Sequence, residues 1–543
     1  MNVKKINNNL NKILQFLVLQ RLQLFYLGLL IILFVLAGYL YLKFPHAVLD
    51  DAYIYARYAY NLAMHGEFAW NLEGPPVNGC TGILLPILNS ILFKFGINFE
   101  TQCLMIGLTS FILTGFLIWK VLFDNKTNIF ISISLFSLYL FSPILYWNIF
   151  SGLETFLFTF FLVFSAYLFQ KTLQNPKKWY ILIQLALLCL VLSRPEGVVF
   201  AVLFNCAIWI KERGKKHWGI LVLETLLFFI IPYLIYFAWQ WSKFGFPLPN
   251  SYYVKDSMEF SASVFDEIIA FIIGNSNILA SITLLVAIGV IYLLNKNMIR
   301  NSKLDKTTLF TFVISILGTC IIMGKYLFSK LLMNISDRFF VPFFVLMIFS
   351  IGLLLSDVAS KSKKTSTYNI VCFISMLICL ISIGNNFSGN YFAEKRYAKK
   401  YLNTIQSEHI QVGKYLNQEI PPNEYLVVVI DAGAIPFYAQ LPTIDFGRLN
   451  DSYLAHNAIP IEKRLDYLFS SNPGAIVITG VNSSFGGDIE ADTFSGFRSH
   501  IVEDSRFQDY HLEKIYGQEE SLELLTDYFV FVYIRNDLID YFR

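Results

Sequence analysis

Charge is scarce in this chain of 543 residues: Asp, Glu, Lys and Arg make up 15% of it, while 55% is hydrophobic and 17% aromatic. A soluble chain of this size carries about 25% charged residues, so the composition excludes an ordinary soluble fold. Alternation is also lacking. The apolar residues come in continuous runs rather than at every second position, which excludes a transmembrane β-barrel. Cysteine is sparse and poorly placed for bridging. Of Cys80, Cys103, Cys189, Cys206, Cys320, Cys372 and Cys379, only Cys80 falls outside an apolar run, and none lies beyond residue 379. That excludes a disulfide framework and a Cys-based metal site in the C-terminal region. There is no Gly-rich nucleotide loop, no His/Cys cluster and no Gly-x-Ser-x-Gly. The seven histidines are scattered, and only His46 and His65 fall near the acids discussed below. The net charge is +3, yet acids outnumber bases beyond residue 390, which argues against a nucleic-acid partner.

What the chain has is hydrocarbon. Many runs reach the ~20 apolar residues that cross a ~30 Å bilayer core. The runs predict a polytopic α-helical membrane protein of about eleven spans: 22–42, 101–122, 129–147, 153–170, 179–193, 195–210, 218–241, 268–294, 307–323, 339–357 and 368–388. Lys4, Lys5 and Lys12 precede the first run, which continues through Leu42 without a small-residue cleavage site and so reads as a retained anchor. The stretch 81–95 is apolar but too short to cross, and reads as a half-span or a surface helix. With that count, the basic loops near Lys126, 171–178, 211–216, 296–306 and 361–364 share the N-terminal, cytoplasmic side. The segments 43–80, 148–155, 244–265 and 324–338 face the other way. The expected location is the bacterial inner membrane, multi-pass. Residues 1–388 form the transmembrane domain and 389–543 an extracytoplasmic α/β domain with strands at 426–430, 475–479 and 528–534.

Polar motifs cluster at the outward segments. Asp50-Asp51 opens a helix that runs to Gly66. Both acids can be read as caps, but one cap needs one acid, and two adjacent carboxylates raise each other's pKa. That suits a group that takes a proton from a hydroxyl. The segment 70–81 is turn-rich with an exposed Trp70, which suits a sugar ring or an interfacial aromatic belt. Glu154 sits at a helix N-terminus, where an acid is favourable on its own account and could also orient an acceptor. Arg194 could pair with Glu196, and Arg338 with Asp337. Together with Lys255 they are also three cations on one face, able to clamp a phosphate.

Read in order, Asp50-Asp51-Ala52-Tyr53-Ile54 with Arg57-Tyr58-Ala59, Pro76-Val77-Asn78-Gly79-Cys80-Thr81, Ser151-Gly152-Leu153-Glu154-Thr155, Ser193-Arg194-Pro195-Glu196-Gly197, Pro249-Asn250-Ser251-Tyr252-Tyr253-Val254-Lys255, Arg338-Phe339 and Asp431-Ala432-Gly433-Ala434-Ile435-Pro436 resemble the GT-C superfamily of membrane glycosyltransferases. The resemblance is greatest to the bacterial group that includes the terminal arabinofuranosyltransferases of the cell wall. It departs at Cys80 and Gly82, where relatives carry an aromatic or hydroxyl residue and a Ser or Pro. The resemblance implies a sugar donor on a polyprenyl phosphate, transfer at the membrane–water boundary, and a first-loop acid as base.

The expected mechanism is a single in-line displacement with inversion. Asp50 is the base, with Asp51 second. Glu154 positions the acceptor, a glycan, lipid or protein of the cell envelope. Lys255, Arg194 and Arg338 hold the leaving phosphate, Tyr252 and Tyr253 line the donor site, and Arg57 belongs to the same set. The paired acids can hold a divalent ion, but the displacement does not require one. The competing classes are a transporter or flippase of a lipid-linked saccharide and a non-catalytic assembly subunit. The first predicts internal repeats and polar breaks at mid-membrane, and the second leaves the acid pair unexplained.

Overall fold

The computed structural model describes residue 28 and residues 31–124, 127–255, 260–294, 305–329, 331, 334–361, 366–457, 459–480, 497–517 and 529–541. Among these, seven helices are long and apolar enough to cross a membrane, and two bent pairs raise the number to nine. The bent pairs are Ile129–Leu140 with Pro143–Phe150, and Ala262–Gly274 with Ser276–Val286. The two remaining expected spans correspond to the shorter helices Ile31–Leu42 and Gly197–Glu212. Leu84–Lys94 has 11 residues, roughly 16 Å of helix, and falls short of a crossing as expected.

The breaks in the bent pairs answer each other. Asn277 Nδ2 donates to Ser142 Oγ across 2.9 Å, and Asn386 Nδ2 donates to Asn275 Oδ1 across 3.0 Å. Polar side chains buried inside an apolar bundle need such partners. Around them packs one large core, with Leu135, Leu138, Leu145, Leu162, Phe200 and Val345 fully buried.

The last helical stretch, Asn369–Glu419, runs 51 residues, roughly 76 Å. It therefore passes well beyond a bilayer. Two π-helical turns interrupt its regular winding, Phe387–Tyr391 and Ile405–His409. The stretch carries the chain directly from an apolar, membrane-length helix into a C-terminal domain.

That domain holds a five-stranded sheet in the order β2-β1-β3-β5-β4. The strands are β1 (Leu426–Val428), β2 (Thr443–Asp445), β3 (Ala475–Gly480), β4 (Tyr510–Gly517) and β5 (Phe529–Arg535). β1 lies parallel to β2 and β3, and β5 is antiparallel to β3 and β4. Cores on both faces of the sheet explain why β1 reads as an unbroken apolar run. The expected strands at 426–430, 475–479 and 528–534 are β1, β3 and β5, Tyr528 being outside the described residues. β2 and β4 were not anticipated.

Between bundle and sheet lies the helix Asp50–His65. Val48, Ala52, Tyr53 and Ala56 pack with Ile405, Ile410, Ala434 and Phe437 in one apolar cluster. The first loop is thus clamped from both sides.

Candidate active site

Both acids lie in the first turn of Asp50–His65, and neither caps it: the N-cap residue is Leu49, with no side-chain cap. Adjacent residues on a helix point about 100° apart, so the two carboxylates face different neighbours. Asp50 turns to the C-terminal domain and is buried. Its Oδ2 accepts from the Gly433 N–H (2.9 Å). Its Oδ1 accepts from the Ala434 N–H (2.9 Å) and lies 3.0 Å from His409 Nδ1. The Asp50 N–H in turn donates to the Tyr401 hydroxyl (3.0 Å).

Asp51 turns instead into a cavity of about 450 Å³. Glu154, Arg194, Glu196, Lys325 and Arg338 also line it, with Tyr55, Tyr252 and Tyr326 and a floor of Ile54, Leu153, Val199, Ile321 and Phe339. A mostly apolar cleft with a few convergent polar groups is the usual form of a small-ligand site. The cavity holds three acids and three bases.

Each charge is placed by a local device. Arg338 follows two non-glycine residues in left-handed backbone, Ser336 (φ 50°) and Asp337 (φ 54°). Such conformations persist only where surroundings hold them, and here Asn148 Nδ2 donates to the Ser336 carbonyl (2.8 Å). Arg338 Nη2 then stands 3.5 Å from Asp51 Oδ2. Arg194 extends from the break between Pro176–Ser193 and Gly197–Glu212. It bonds Glu196 at 2.8 Å and lies 3.5 Å from Glu154. Tyr326 donates its hydroxyl to the same Glu196 (3.1 Å). Burial works against the Arg194 charge, but Glu196, Tyr326 and Glu154 reverse that and raise its pKa above the ordinary value. Burial also pushes Glu196 up, and Arg194 more than offsets it, holding the carboxyl below its usual range. Glu154 Oε2 is buried without a hydrogen-bond partner, an acceptor position left for something else. Gly82 packs against the turn that carries Arg194: a Cβ there would lie 2.0 Å from the Ser193 carbonyl oxygen. The departure from a Ser or Pro at this position therefore has a steric cause.

Of the residues expected at the site, the structure brings together Asp51, Glu154, Arg194, Arg338 and Tyr252. Asp50 is not on the cavity wall, because its carboxylate is engaged by the C-terminal domain. Tyr253 points elsewhere and packs on His456, 4.4 Å between ring centres. Lys255 ends the short helix Asn250–Lys255, but its side chain is outside the described residues. Trp70, expected to be exposed, is fully buried and donates to the Thr443 carbonyl (3.1 Å). Lys325 was not anticipated. It sits near the C-terminal end of Lys306–Tyr326, with Nζ 4.7 Å from the Tyr252 ring centre. The signal was a Lys closing an apolar run inside 324–338, the outward segment that also holds Arg338.

Arg57 is likewise removed from the cavity. Buried against Trp70, its guanidinium donates to the carbonyls of Trp70 (2.7 Å), Pro436 (2.6 Å) and Leu441 (2.6 Å) and to Asn71 Oδ1 (3.0 Å). It rivets the first loop to the C-terminal domain. Arg57→Met removes four charge-assisted hydrogen bonds, two of which tie the loop to the C-terminal domain, at about 1.5–3 kcal/mol for each bond lost, although every acceptor keeps a second donor. The expected outcome is a large drop in the thermal unfolding midpoint of the purified protein. An unchanged midpoint would show that the rivet contributes nothing.

A family model described as a domain of unknown function (DUF8728) matches residues 397–533, the sheet domain with the helix that leads into it. No curated protein sequence matches the chain. Among solved structures, ArnT from Cupriavidus metallidurans in the apo state superposes with a TM-score of 0.57 at 12% identity, covering 94% of this chain and 98% of that one. ArnT from the same organism bound to undecaprenyl phosphate gives a TM-score of 0.55 at 12% identity, over 93% and 98%. The chain is therefore a multi-pass membrane protein with the GT-C fold that ArnT shows.

Proposed function

We propose that this protein is a membrane glycosyltransferase that moves a sugar from a polyprenyl-phosphate donor to a hydroxyl of a cell-envelope glycan, lipid or protein. The observation that carries the reading is one cavity shared by a carboxylate, Asp51, and three cations, Arg194, Lys325 and Arg338. A fold in common with a protein crystallised with undecaprenyl phosphate supports the lipid-phosphate class of donor. The motif likeness to the arabinofuranosyltransferase group favours a pentose or hexose. In this reading the cavity and the C-terminal domain lie on the extracytoplasmic side.

The chemistry needs a base near the attacking hydroxyl and positive charge at the departing oxygen. Asp51 takes the proton. Glu154, through its unengaged Oε2, orients the acceptor. Arg338 and Lys325 face the phosphate, and Lys325 stands where Lys255 was expected to act. Arg194, paired with Glu196, holds Glu154 in place. The apolar floor accommodates the first isoprene units.

The test incubates the purified protein with polyprenyl-phosphate pentoses and hexoses and an envelope extract as acceptor, and measures polyprenyl phosphate release. Sugar-dependent release supports the assignment. No release from any donor would remove it.

The contact behind the doublet supplies a second test. A Cβ on Gly433 would stand 1.9 Å from the Asp50 carbonyl oxygen and 2.6 Å from its Cγ. Gly433→Ala must therefore displace the helix tip by a sizeable fraction of an ångström, and a 1 Å misplacement can cost about 10²-fold in rate. The variant is expected to fold and to turn over about 10²-fold more slowly. Wild-type turnover would show that the tip need not be held.

A further inference from the structure

Behind the doublet, away from the cavity, Asp50, His409 and Asp431 each bring one potential ligand atom to within 4.8 Å of the others. They come from three separate places: the tip of Asp50–His65, the π-helical turn Ile405–His409 and the loop after β1. Asp50 and His409 are buried and Asp431 is half-buried. The Gly433 and Ala434 N–H groups fix the Asp50 carboxylate, while Oδ2 accepts only one of these bonds and keeps a lone pair. Such outer donors that orient a carboxylate typically accompany metal ligands.

A neighbouring residue points the same way. Glu408 is 6% exposed, its Oε2 has no hydrogen-bond partner, and it interacts electrostatically with both His409 and Asp431. Three carboxylates thus surround one imidazole, two of them and the imidazole buried and Asp431 half-buried. Lys400 also acts on Glu408. Buried charges are paired or coordinate metals.

We propose that Asp50, His409 and Asp431 bind a divalent first-row metal ion, with Glu408 as the adjoining carboxylate. A set of imidazole and carboxylate donors suits Zn²⁺ and disfavours Ca²⁺ and Mg²⁺, which take all-oxygen shells. The ion ties the first-loop helix to the C-terminal domain and pins the tip that carries Asp51. The inference does not depend on glycosyl transfer, because its readout is metal content.

The test loads the purified full-length protein with Zn²⁺, removes free ion by dialysis, and measures bound metal by mass spectrometry. About one Zn²⁺ per chain is expected. His409→Gln and Asp431→Asn should each weaken binding by more than the roughly 10–100-fold that loss of an outer-shell partner costs, while the exposed-site control His65→Gln should not. Should either site variant fail to yield monodisperse protein, X-ray absorption on the Zn²⁺-loaded wild type decides. One imidazole with carboxylate oxygens supports the site; a shell with sulfur or several imidazoles overturns it. Wild type that retains no Zn²⁺ also overturns it. Retention unchanged in both site variants overturns it as well.

Discussion

Asp51→Asn is expected to reduce sugar transfer by about 10²–10⁴-fold, the usual contribution of a positioned general base, without lowering the thermal unfolding midpoint. Asn is isosteric, and Asp51 has one ionic neighbour across the cavity, Arg338 at 3.5 Å, so the fold does not depend on its charge. Asp50→Asn should behave in the opposite way. An amide nitrogen cannot accept from the Gly433 or Ala434 N–H, whichever way it is turned. One of the two buried donors then loses its acceptor, at about 1–3 kcal/mol, while the amide oxygen still serves the other. Asp50→Asn should therefore lower the midpoint, and lose activity only as far as the tip is displaced. The pair is measured by turnover with a lipid-phosphate sugar and by thermal unfolding in the same detergent. If Asp51→Asn turned over normally while Asp50→Asn lost all activity at an unchanged midpoint, the roles would be reversed, and the base would act from outside the cavity.

The distinction between these two acids shows what the sequence could and could not disclose. Apolar runs reported every helix of the bundle, because a span must be continuous hydrocarbon, and β1, β3 and β5 showed as buried apolar strands. The doublet, Glu154, Arg194 and Arg338 stood out as charges at the ends of those runs. Which acid faces the cavity depends on the rotation of one helix, and that rotation is set by Gly433, Ala434 and His409, more than 350 residues away. Local sequence carries no trace of such contacts. Trp70 and Arg57 were misplaced for the same reason: their partners, Thr443, Pro436 and Leu441, lie in a domain that the sequence does not dock. β2 was overlooked because three residues make too short a pattern, and β4 because its middle is solvent-facing. Lys325 looked like an ordinary interfacial lysine until the fold placed it over Tyr252.

Arg338→Met is the second large effect, and its form matters more than its size. Three acids and three bases line the cavity, so it offers no surplus positive charge to a bound phosphodiester. The reaction itself changes that balance. As the acceptor hydroxyl attacks the anomeric carbon, its proton passes to Asp51, which becomes neutral. The bond from that carbon to the phosphate oxygen breaks with its electron pair, and the leaving phosphate gains the charge that Asp51 has lost. Arg338, within 3.5 Å of Asp51, is ion-paired before the step and available to the phosphate during it. Its stabilisation is thus greatest in the transition state, where an interaction raises kcat rather than merely lowering KM. Arg338→Met should reduce kcat by about 10²–10³-fold, with a smaller change in KM for the donor, and Arg338→Lys should recover part of the loss. In the double variant Asp51→Asn/Arg338→Met the two losses should not multiply, because without the proton transfer the cation has no charge shift to follow. A rise in donor KM at constant kcat, with losses that multiply in the double variant, would make Arg338 a plain anchor for the donor and separate it from the base.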